Sequence, residues 1–301
     1  MRDAVTGAFS FTGRAVAARL LEEGREVVTL VRRQPAKDPF GGRIGVAQVD
    51  LDDASTLAPV LEGVDTLYNT HWIRFERGET TYQLAIARTL RLIEAARHAG
   101  VRRLVHIGVV NSSDSAPTAY FRAKARLDDE VRRSGLSYAI VRPTLTYGPG
   151  DILVNNLCWT LRRFPAFGVP GDGRYRLQPV HVDDVAVIAV RAGSQAENLE
   201  TDAAGPDILT FDEFVRLLAR AIGRRARLVH LPPTLALGAS QAIGLVVGDV
   251  MLTRHEVTEL TASLLVSAAP PAGTIRLVDW ATSHADQLGR RYHSELSRHF
   301  R

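Results

Sequence analysis

Short apolar stretches alternate with longer amphipathic ones over the first half of the chain. The apolar stretches have the length and β-branched content of buried strands, which predicts six strands: Met1–Val5, Glu26–Val31, Ile44–Val49, Asp65–Asn69, Arg103–Val110 and Ser137–Val141. The stretches between them predict helices at Arg14–Glu23, Ala54–Leu61, Thr80–His98 and Pro117–Ser134. Because strands and helices alternate with short connections, the pattern predicts right-handed βαβ units and a doubly wound α/β fold around a parallel sheet.

The alternation weakens beyond Thr144, where turn-rich stretches occur at Gly148–Gly150 and Gly168–Gly173. Residues 1–150 are predicted to form the first domain, and 176–204 to return to it through a helix at Val182–Arg191. Residues 151–301 are predicted to form mainly a smaller, mixed substrate-binding domain. Its predicted segments are Thr210–Ile222, Arg227–Leu231, Thr234–Val247, Arg254–Leu265 and Trp280–Phe300.

The first strand runs through a glycine turn, Thr6–Gly13, into a helix start. Gly7 permits the tight turn, Gly13 lets the helix pack closely on the sheet, and the N–H groups of the helix start attract phosphate. This arrangement is typical of a Rossmann fold that binds a dinucleotide, here through Gly7, Phe9, Ser10, Phe11 and Gly13. Ser10 stands where the usual pattern has another glycine, so a plain strand–turn–helix is the alternative. The Ser10 hydroxyl is also a candidate phosphate ligand.

Tyr120 and Lys124 lie one turn apart in a predicted helix, which places a phenol and an ammonium on one face. The positive charge lowers the pKa of the phenol and suits it to proton transfer with a substrate oxygen. Lys37 and Lys124 are the only lysines in a chain otherwise rich in arginine, which favours a specific need for the ammonium. The alternative is a solvated helix face.

Two arginines follow the second strand and bear on the choice of dinucleotide. NAD preference needs an acid there for the ribose hydroxyls, whereas Arg32 and Arg33 suit a 2′-phosphate. The predicted cofactor is therefore NADP(H), with NAD as the second possibility. The alternative is that both arginines are solvated loop charges.

Together these motifs resemble the short-chain dehydrogenase/reductase superfamily in its extended, epimerase/dehydratase-like and atypical branches. They look closest to the group of NmrA-like regulators and the Rossmann-type accessory subunit of respiratory complex I. The resemblance also rests on Asp50-Leu51, Val64–Asn69, Arg142–Gly150, His181–Ala186 and Gly205–Phe214. It implies that Tyr120 is the general acid/base and that Lys124 holds the nicotinamide ribose. It further implies dinucleotide contacts from Asp50, Leu51, Asn69, Thr70, Lys124 and Pro143.

Two positions depart from the pattern of that superfamily. Active members place a serine or threonine at the end of the fifth strand, where this chain has Gly108 and Val109. Ser112 or Ser113 could substitute only if the loop folds back. His71-Trp72 replaces small residues after the fourth strand, and these side chains either reshape the pocket or cap the core.

Composition narrows the function classes. The charge of +4 over 301 residues is interleaved rather than clustered, which argues against nucleic acid as a partner. A single cysteine, Cys158, excludes an internal disulfide and a cysteine metal cluster. No metal site is predicted, because Asp183 and Asp184 beside His181 suit a helix start.

A strand beginning at Met1 leaves no room for a signal peptide, so a cytoplasmic location is expected. The uncharged run Leu231–Gly248 predicts a buried or interface helix, not a transmembrane span.

The predicted function is an NADP(H)-dependent oxidoreductase, or a related epimerase or dehydratase, acting on a small carbonyl or hydroxyl compound with Tyr120 as proton carrier. One alternative is a redox sensor or accessory protein that binds NADP(H) without catalysis, and another is a non-redox elimination or cyclisation enzyme. Asn111, Asn155 and Asn156 are candidate polar groups of the substrate pocket. Either a monomer or a homodimer fits the sequence.

Overall fold

A computed structural model describes residues 1–33 and 38–299. Arg32 and Arg33 lie within these ranges, whereas Lys37 and Phe300 lie outside them. The chain divides into two compact units. The first comprises Met1–Pro143 and Val182–Ala203, and the second comprises 144–181 with the described residues from 204 onward.

A seven-stranded parallel sheet forms the centre of the first unit, in the order β11-β6-β5-β4-β1-β2-β3. Its strands are β1 (Arg2–Thr6), β2 (Glu26–Val31), β3 (Gly45–Gln48), β4 (Thr66–Asn69), β5 (Arg103–Ile107), β6 (Ser137–Pro143) and β11 (Leu199–Ala203). Its helices are α1 (Phe11–Glu22), α2 (Ala58–Leu61), α3 (Tyr82–His98), α4 (Ala119–Arg133) and α6 (Val182–Gly193). From β1 the strands are added on one side as β2 and β3, and then on the other side as β4, β5 and β6. This order confirms the predicted doubly wound α/β fold.

The sheet is covered on both faces, which explains why its strands are nearly continuous apolar runs. Helices α1 and α6 pack against each other, and α3 packs against α4. One core cluster joins fully buried side chains of β1, β4, β5 and β6 with the helix α3, including Ala4, Leu67, Leu104, Ile140 and Leu92. The predicted helix Ala54–Leu61 forms as a 3₁₀ turn, Ala54–Thr56, followed by the short α2.

Arg103 ties the segment 182–203 to the sheet of the first unit. Its side chain is fully buried in β5, and its guanidinium donates to the carbonyl of Ala192 at 2.8 Å and to that of Glu197 at 2.9 Å. A third bond reaches the hydroxyl of Ser137. A buried guanidinium needs such partners, because an unpaired one would be costly.

The second unit is a mixed region built from helices and three two-stranded pairs: β7 with β10, β9 with β12, and β8 with β13. Its strands are β7 (Leu145–Tyr147), β8 (Phe167–Pro170), β9 (Arg176–Leu177), β10 (Pro179–His181), β12 (Leu209–Thr210) and β13 (Leu228–Leu231). Its helices are α5 (Leu153–Arg163), α7 (Phe211–Ala221), α8 (Pro233–Val247), α9 (Arg254–Thr261), α10 (Leu277–Ser283) and α11 (Glu295–His299). A capping box of Thr210 and Glu213 opens α7.

Helix α8 covers most of the uncharged run that predicted a buried or interface helix. Only the residues Ala236 and Gly244 of this helix are buried, while Leu245 and Val246 are each 86% exposed. The buried alternative is therefore wrong, because one side of the helix alone packs on the protein. In the described part of the chain, no helix is long and apolar enough to cross a membrane.

Candidate functional site

The glycine turn after β1 has the close packing that a phosphate-binding loop needs. Gly7 has a φ of 68°, a left-handed conformation that favours glycine. A β-carbon on Gly13 would lie only 2.3 Å from the carbonyl oxygen of Gly7 and 2.9 Å from Oγ1 of Thr70. Glycine at position 13 therefore allows the first turn of α1 to lie directly on the loop.

Ser10 closes this turn from inside. Its hydroxyl donates to the carbonyl oxygen of Gly7 at 2.6 Å, and its backbone N–H donates to the same oxygen at 2.8 Å. The hydroxyl proton is thus donated to a backbone oxygen of the loop itself. A phosphate contact from Ser10 stays a prediction. Phe11 is the first residue of α1, and the Phe9 ring lies 6.3 Å from the Phe40 ring.

A groove of about 260 Å³ opens beside the turn. It brings together four of the predicted dinucleotide residues: Gly7, Arg32, Asp50 and Leu51. Arg33 is exposed and does not line the groove. The remaining lining residues are Thr6, Leu30, Val31, Val49, His71 and Arg88. The groove thus has an apolar floor, a glycine turn at one side and two arginines.

Arg88 was not predicted as a site residue. It lies on α3, and its guanidinium binds the Asp52 carboxylate with an Nη2–Oδ2 distance of 2.6 Å. Arg91 contacts the same carboxylate at 3.1 Å. Hydrogen bonding to Arg88 lowers the pKa of Asp52 below its usual range. Arg88 is thereby held at the groove wall, next to Asp50-Leu51.

Asn69 and Thr70, predicted to contact the dinucleotide, make their visible hydrogen bonds inside the first unit. The Thr70 hydroxyl donates to the carbonyl of Thr6 at 2.6 Å, and the Thr70 N–H donates to the Thr6 hydroxyl at 2.8 Å. The Asn69 amide is buried and lies 3.1 Å from Nδ1 of His106. The bonds of Thr70 tie the loop after β4 to β1, and that of Asn69 joins β4 to β5, while dinucleotide contacts from both residues stay predictions.

His71 presents an unused ring nitrogen at the groove. Its Nε2 atom is buried and has no hydrogen-bond partner among the residues that the structure describes. Burial, and then the positive charges of Arg88 and Lys124, lower the pKa of His71 to about 4. The imidazole is therefore neutral at pH 7, with one donor and one acceptor nitrogen.

Trp72, the other bulky residue after β4, belongs to an aromatic cluster around Tyr120 and Lys124. Its ring stacks on Tyr82 at 5.7 Å and meets the ring of half-buried Tyr120 edge-on at 6.0 Å. The Lys124 ammonium lies 4.5 Å from the centre of the Trp72 ring. The two neighbours therefore lie in different surroundings: His71 lines the groove, and Trp72 packs on Tyr120 and Lys124.

Lys124 is only 3% exposed, and its Nζ atom donates to the carbonyl of Ile107 at the end of β5, at 2.8 Å. Burial lowers the pKa of Lys124 to about 7, against a smaller opposing effect of Asp128. The side chain is therefore inside the unit and not on the solvated helix face that was the alternative. It can change protonation near neutral pH.

The missing serine at the end of β5 has a structural explanation. A β-carbon on Gly108 would lie 3.0 Å from Oδ1 of the buried Asp128, so a larger side chain would crowd that carboxylate. The loop does fold back, but Ser112 donates to Asp128 Oδ2 at 3.2 Å. Ser113 is exposed and lies 3.3 Å from the Ser115 hydroxyl.

Asp128 begins a chain of ion pairs. Arg142 donates to it at 2.8 Å and also contacts Glu200 on β11, which in turn binds Arg132. Burial raises the pKa of Asp128 even though Arg142 opposes the shift. This network fixes the ends of α4, β6 and β11.

Other predicted residues have structural partners. Asn155 and Asn156 donate to the carbonyls of Arg291 and His293, at 2.8 and 2.9 Å, so these buried amides hold the C-terminal segment of the second unit. A role of these amides in a substrate pocket stays a prediction. Exposed Asn111 has a φ of 56°, and the Pro143 carbonyl accepts from the Val110 N–H at 3.1 Å. Across the described ranges, no three histidine, cysteine or acidic side chains are grouped as metal ligands would be.

Comparison with known proteins gives a family profile that matches part of the chain. The NAD(P)H-binding family profile matches residues 7–151. The chain is 26% identical to a mitochondrial NADH dehydrogenase (ubiquinone) 1 alpha subcomplex subunit 9 from Arabidopsis thaliana, over 76% of this chain and 60% of that protein. It is 29% identical to a ceramide reductase from Caulobacter vibrioides, over 76% of this chain and 73% of that protein. The chain therefore spans less than two thirds of the complex I subunit.

A solved structure shares the fold. The triphenylmethane reductase of a Citrobacter species, complexed with NADP(H), superimposes with a TM-score of 0.77 at 18% identity. The match covers 95% of this chain and 100% of that one. At this identity the likeness establishes the fold and not the reaction.

Proposed function

Since the NAD(P)H-binding family profile matches residues 7–151, we propose that this protein is an NADPH-dependent reductase of a small carbonyl compound. The observation that carries the proposal is the placement of Lys124. Its buried ammonium lies beside Trp72 and one helical turn from Tyr120. A solvated helix face would not bury an ammonium, because desolvation is costly unless the charge has a use.

The groove of the first unit fits a phosphorylated dinucleotide. Glycine at position 13 lets the helix start lie directly on the turn, where its N–H groups suit a pyrophosphate. Arg32 supplies a cation at the groove for a 2′-phosphate, while Arg88 at the same groove is paired with Asp52. His71 Nε2 supplies a buried ring nitrogen that a ligand oxygen or hydroxyl could satisfy.

NADPH, when bound, supplies the hydride for the substrate carbon. The chain supplies the proton. The Tyr120 O–H donates it to the substrate oxygen, and the positive form of Lys124 favours the phenolate that remains. Trp72 packs on both side chains. The product is an alcohol, and Tyr120 recovers its proton from solvent.

The substrate class is proposed from the ceramide reductase to which the chain is similar. Its name describes a reduction, and a proton donor beside a buried cation suits the reduction of a carbonyl group. The apolar and aromatic surroundings of Tyr120 favour an uncharged substrate over an acidic one.

Replacement of Tyr120 by Phe tests the proposed role directly. Phenylalanine keeps the ring contacts with Trp72 and Tyr82 and removes only the hydroxyl. NADPH oxidation, measured over a panel of aldehydes, ketones and quinones, should fall by roughly 100-fold or more. NADPH affinity should stay within about twofold, since no ring is lost. Unchanged turnover would rule out Tyr120 as the proton carrier.

A second function is favoured by the end of β5. Gly108 offers no hydroxyl, and that of Ser112 is donated to Asp128, so a substrate oxygen would lack the donor that active superfamily members provide. Such a donor is worth about 3 kcal/mol in transition-state stabilisation. We therefore propose a non-catalytic NADPH-binding accessory protein as the alternative. Retained NADPH with no oxidation over the whole panel would favour it over the reductase.

A further inference from the structure

Helix α8 leaves a large apolar face in solvent. Leu235 is 60% exposed, and Leu245 and Val246 are each 86% exposed. Single exposed apolar residues are common on protein surfaces, but three large ones on one 15-residue helix are not. We propose that this face docks on the surface of a lipid bilayer that contains anionic lipids.

The exposed residues share one side of the helix. Leu235, Ala239, Ala242 and Leu245 follow one another at intervals of three or four positions, and Val246 adjoins them. Helix α8 carries no charged side chain along its length. A face of this kind can enter the boundary between headgroups and acyl chains without burying a charge.

The orientation of α8 is fixed by its opposite side. That side packs on β8 and β13, and a β-carbon on Gly244 would lie 2.6 Å from the carbonyl oxygen of Asp249. By contrast, a β-carbon on Gly238 would meet nothing within 4 Å. Because the helix packs on the protein by one side, its other side faces solvent.

The charge next to the helix matches an anionic surface. Residues 222–248 contain three arginines, Arg224, Arg225 and Arg227, and no aspartate or glutamate. All three arginines are exposed in the turn that precedes β13. Arginines within a Debye length of an anionic leaflet attract it, so charge adds to apolar insertion.

A bilayer suits this face better than a second copy of the chain. A 15-residue helix is about 22 Å long and 10 Å wide, so its projected face is roughly 220 Å². A stable protein interface needs about 800 Å² from each partner. A lipid surface has no such requirement, since it accepts an apolar side chain without a shaped partner.

Vesicle sedimentation of the whole protein tests the proposal without cofactor or substrate. Vesicles of phosphatidylcholine alone are compared with vesicles containing phosphatidylglycerol. The protein should partition into the anionic vesicles, and the double variant Leu245→Glu with Val246→Glu should weaken that partition by about tenfold or more. Arg225→Gln should weaken it by about fivefold, the factor expected for one cation at an anionic surface. Ile208→Glu alters another exposed apolar residue away from α8 and should leave the partition unchanged.

Because Leu245 and Val246 are exposed, the variants should keep the melting temperature of the wild type, which confirms that they are folded. Absence of binding to anionic vesicles would overturn the proposal. So would binding that the double variant does not weaken. A dimer in light scattering that the double variant dissociates would also overturn it, by identifying a second copy as the occupant.

Discussion

The ammonium of Lys124 lies 4.5 Å from the centre of the Trp72 ring and donates to the carbonyl of Ile107 at 2.8 Å. The lysine is thus held by a π face and a backbone oxygen inside the first unit. Both contacts favour its charged form, yet burial outweighs them and lowers its pKa to about 7. Lys124 therefore stands near the midpoint of its titration at physiological pH.

The titration of Lys124 can be observed directly, because the chain has only two lysines. Protein labelled with ¹³C at lysine Cε should give two NMR signals, and Lys37→Arg should leave the one that belongs to Lys124. We expect this signal to titrate near pH 7, against about 10.4 for an unperturbed lysine. A midpoint above roughly pH 9.5 would contradict the buried position of the ammonium.

The same shift predicts a pH dependence of stability. Between the folded pKa near 7 and the unfolded value of about 10.4, the unfolded chain binds more protons at Lys124 than the folded one. The free energy of unfolding should therefore gain from this group as pH rises, by up to about 1.4 kcal/mol per pH unit, and the gain should be absent below pH 7. Lys124→Met should lack this slope. Urea unfolding of both proteins between pH 7 and 9 measures the difference, and parallel pH profiles would refute it.

Gly13→Ala should disrupt the loop, because its β-carbon would lie 2.3 Å from the Gly7 carbonyl oxygen. We expect a loss of about 1–3 kcal/mol in the free energy of unfolding and a marked loss of NADPH affinity. Gly238→Ala is the matched control, since nothing lies within 4 Å of the added carbon in the α8 helix. It should stabilise the protein by about 0.5–1 kcal/mol. Thermal melts compare the two, and equal effects of both variants would contradict the geometry.

Arg32 and Arg33 should differ in their effect on NADPH binding. Both arginines are exposed, but Arg32 lines the groove and Arg33 does not. Arg32→Gln should weaken NADPH binding by about tenfold or more, the cost of a charge-assisted hydrogen bond, and should leave NADH binding nearly unchanged. Arg33→Gln should change neither affinity by more than about twofold. Fluorescence titration distinguishes the two residues, and equal effects would remove the special role of Arg32.

His71 should contribute a hydrogen bond to the bound dinucleotide through Nε2, which is otherwise unpartnered within the described residues. His71→Leu should raise the dissociation constant of NADPH by about tenfold. His98→Leu is the control, because His98 is exposed at the end of α3. Calorimetric titration of the two variants should separate them. If both bind like the wild type, His71 only caps the core.

Features that depend on local sequence pattern could be predicted from the sequence. The alternation of apolar and amphipathic stretches is enough to predict strands β1 to β6, and Gly7 with Gly13 marks the turn. Arg88 could not be found in this way, because its place at the groove depends on how α3 packs beside Asp52. The hydrogen bonds of Asn155 and Asn156 could not be predicted for a similar reason. Their partners at Arg291 and His293 lie more than 130 positions further along the chain.

Parallel titration of the wild-type protein with NADPH and NADH tests most directly whether the groove beside Gly7 and Arg32 holds a phosphorylated dinucleotide. NADPH should bind at least about tenfold more tightly, because the 2′-phosphate gains a charge-assisted hydrogen bond from Arg32. Equal or tighter binding of NADH would contradict it.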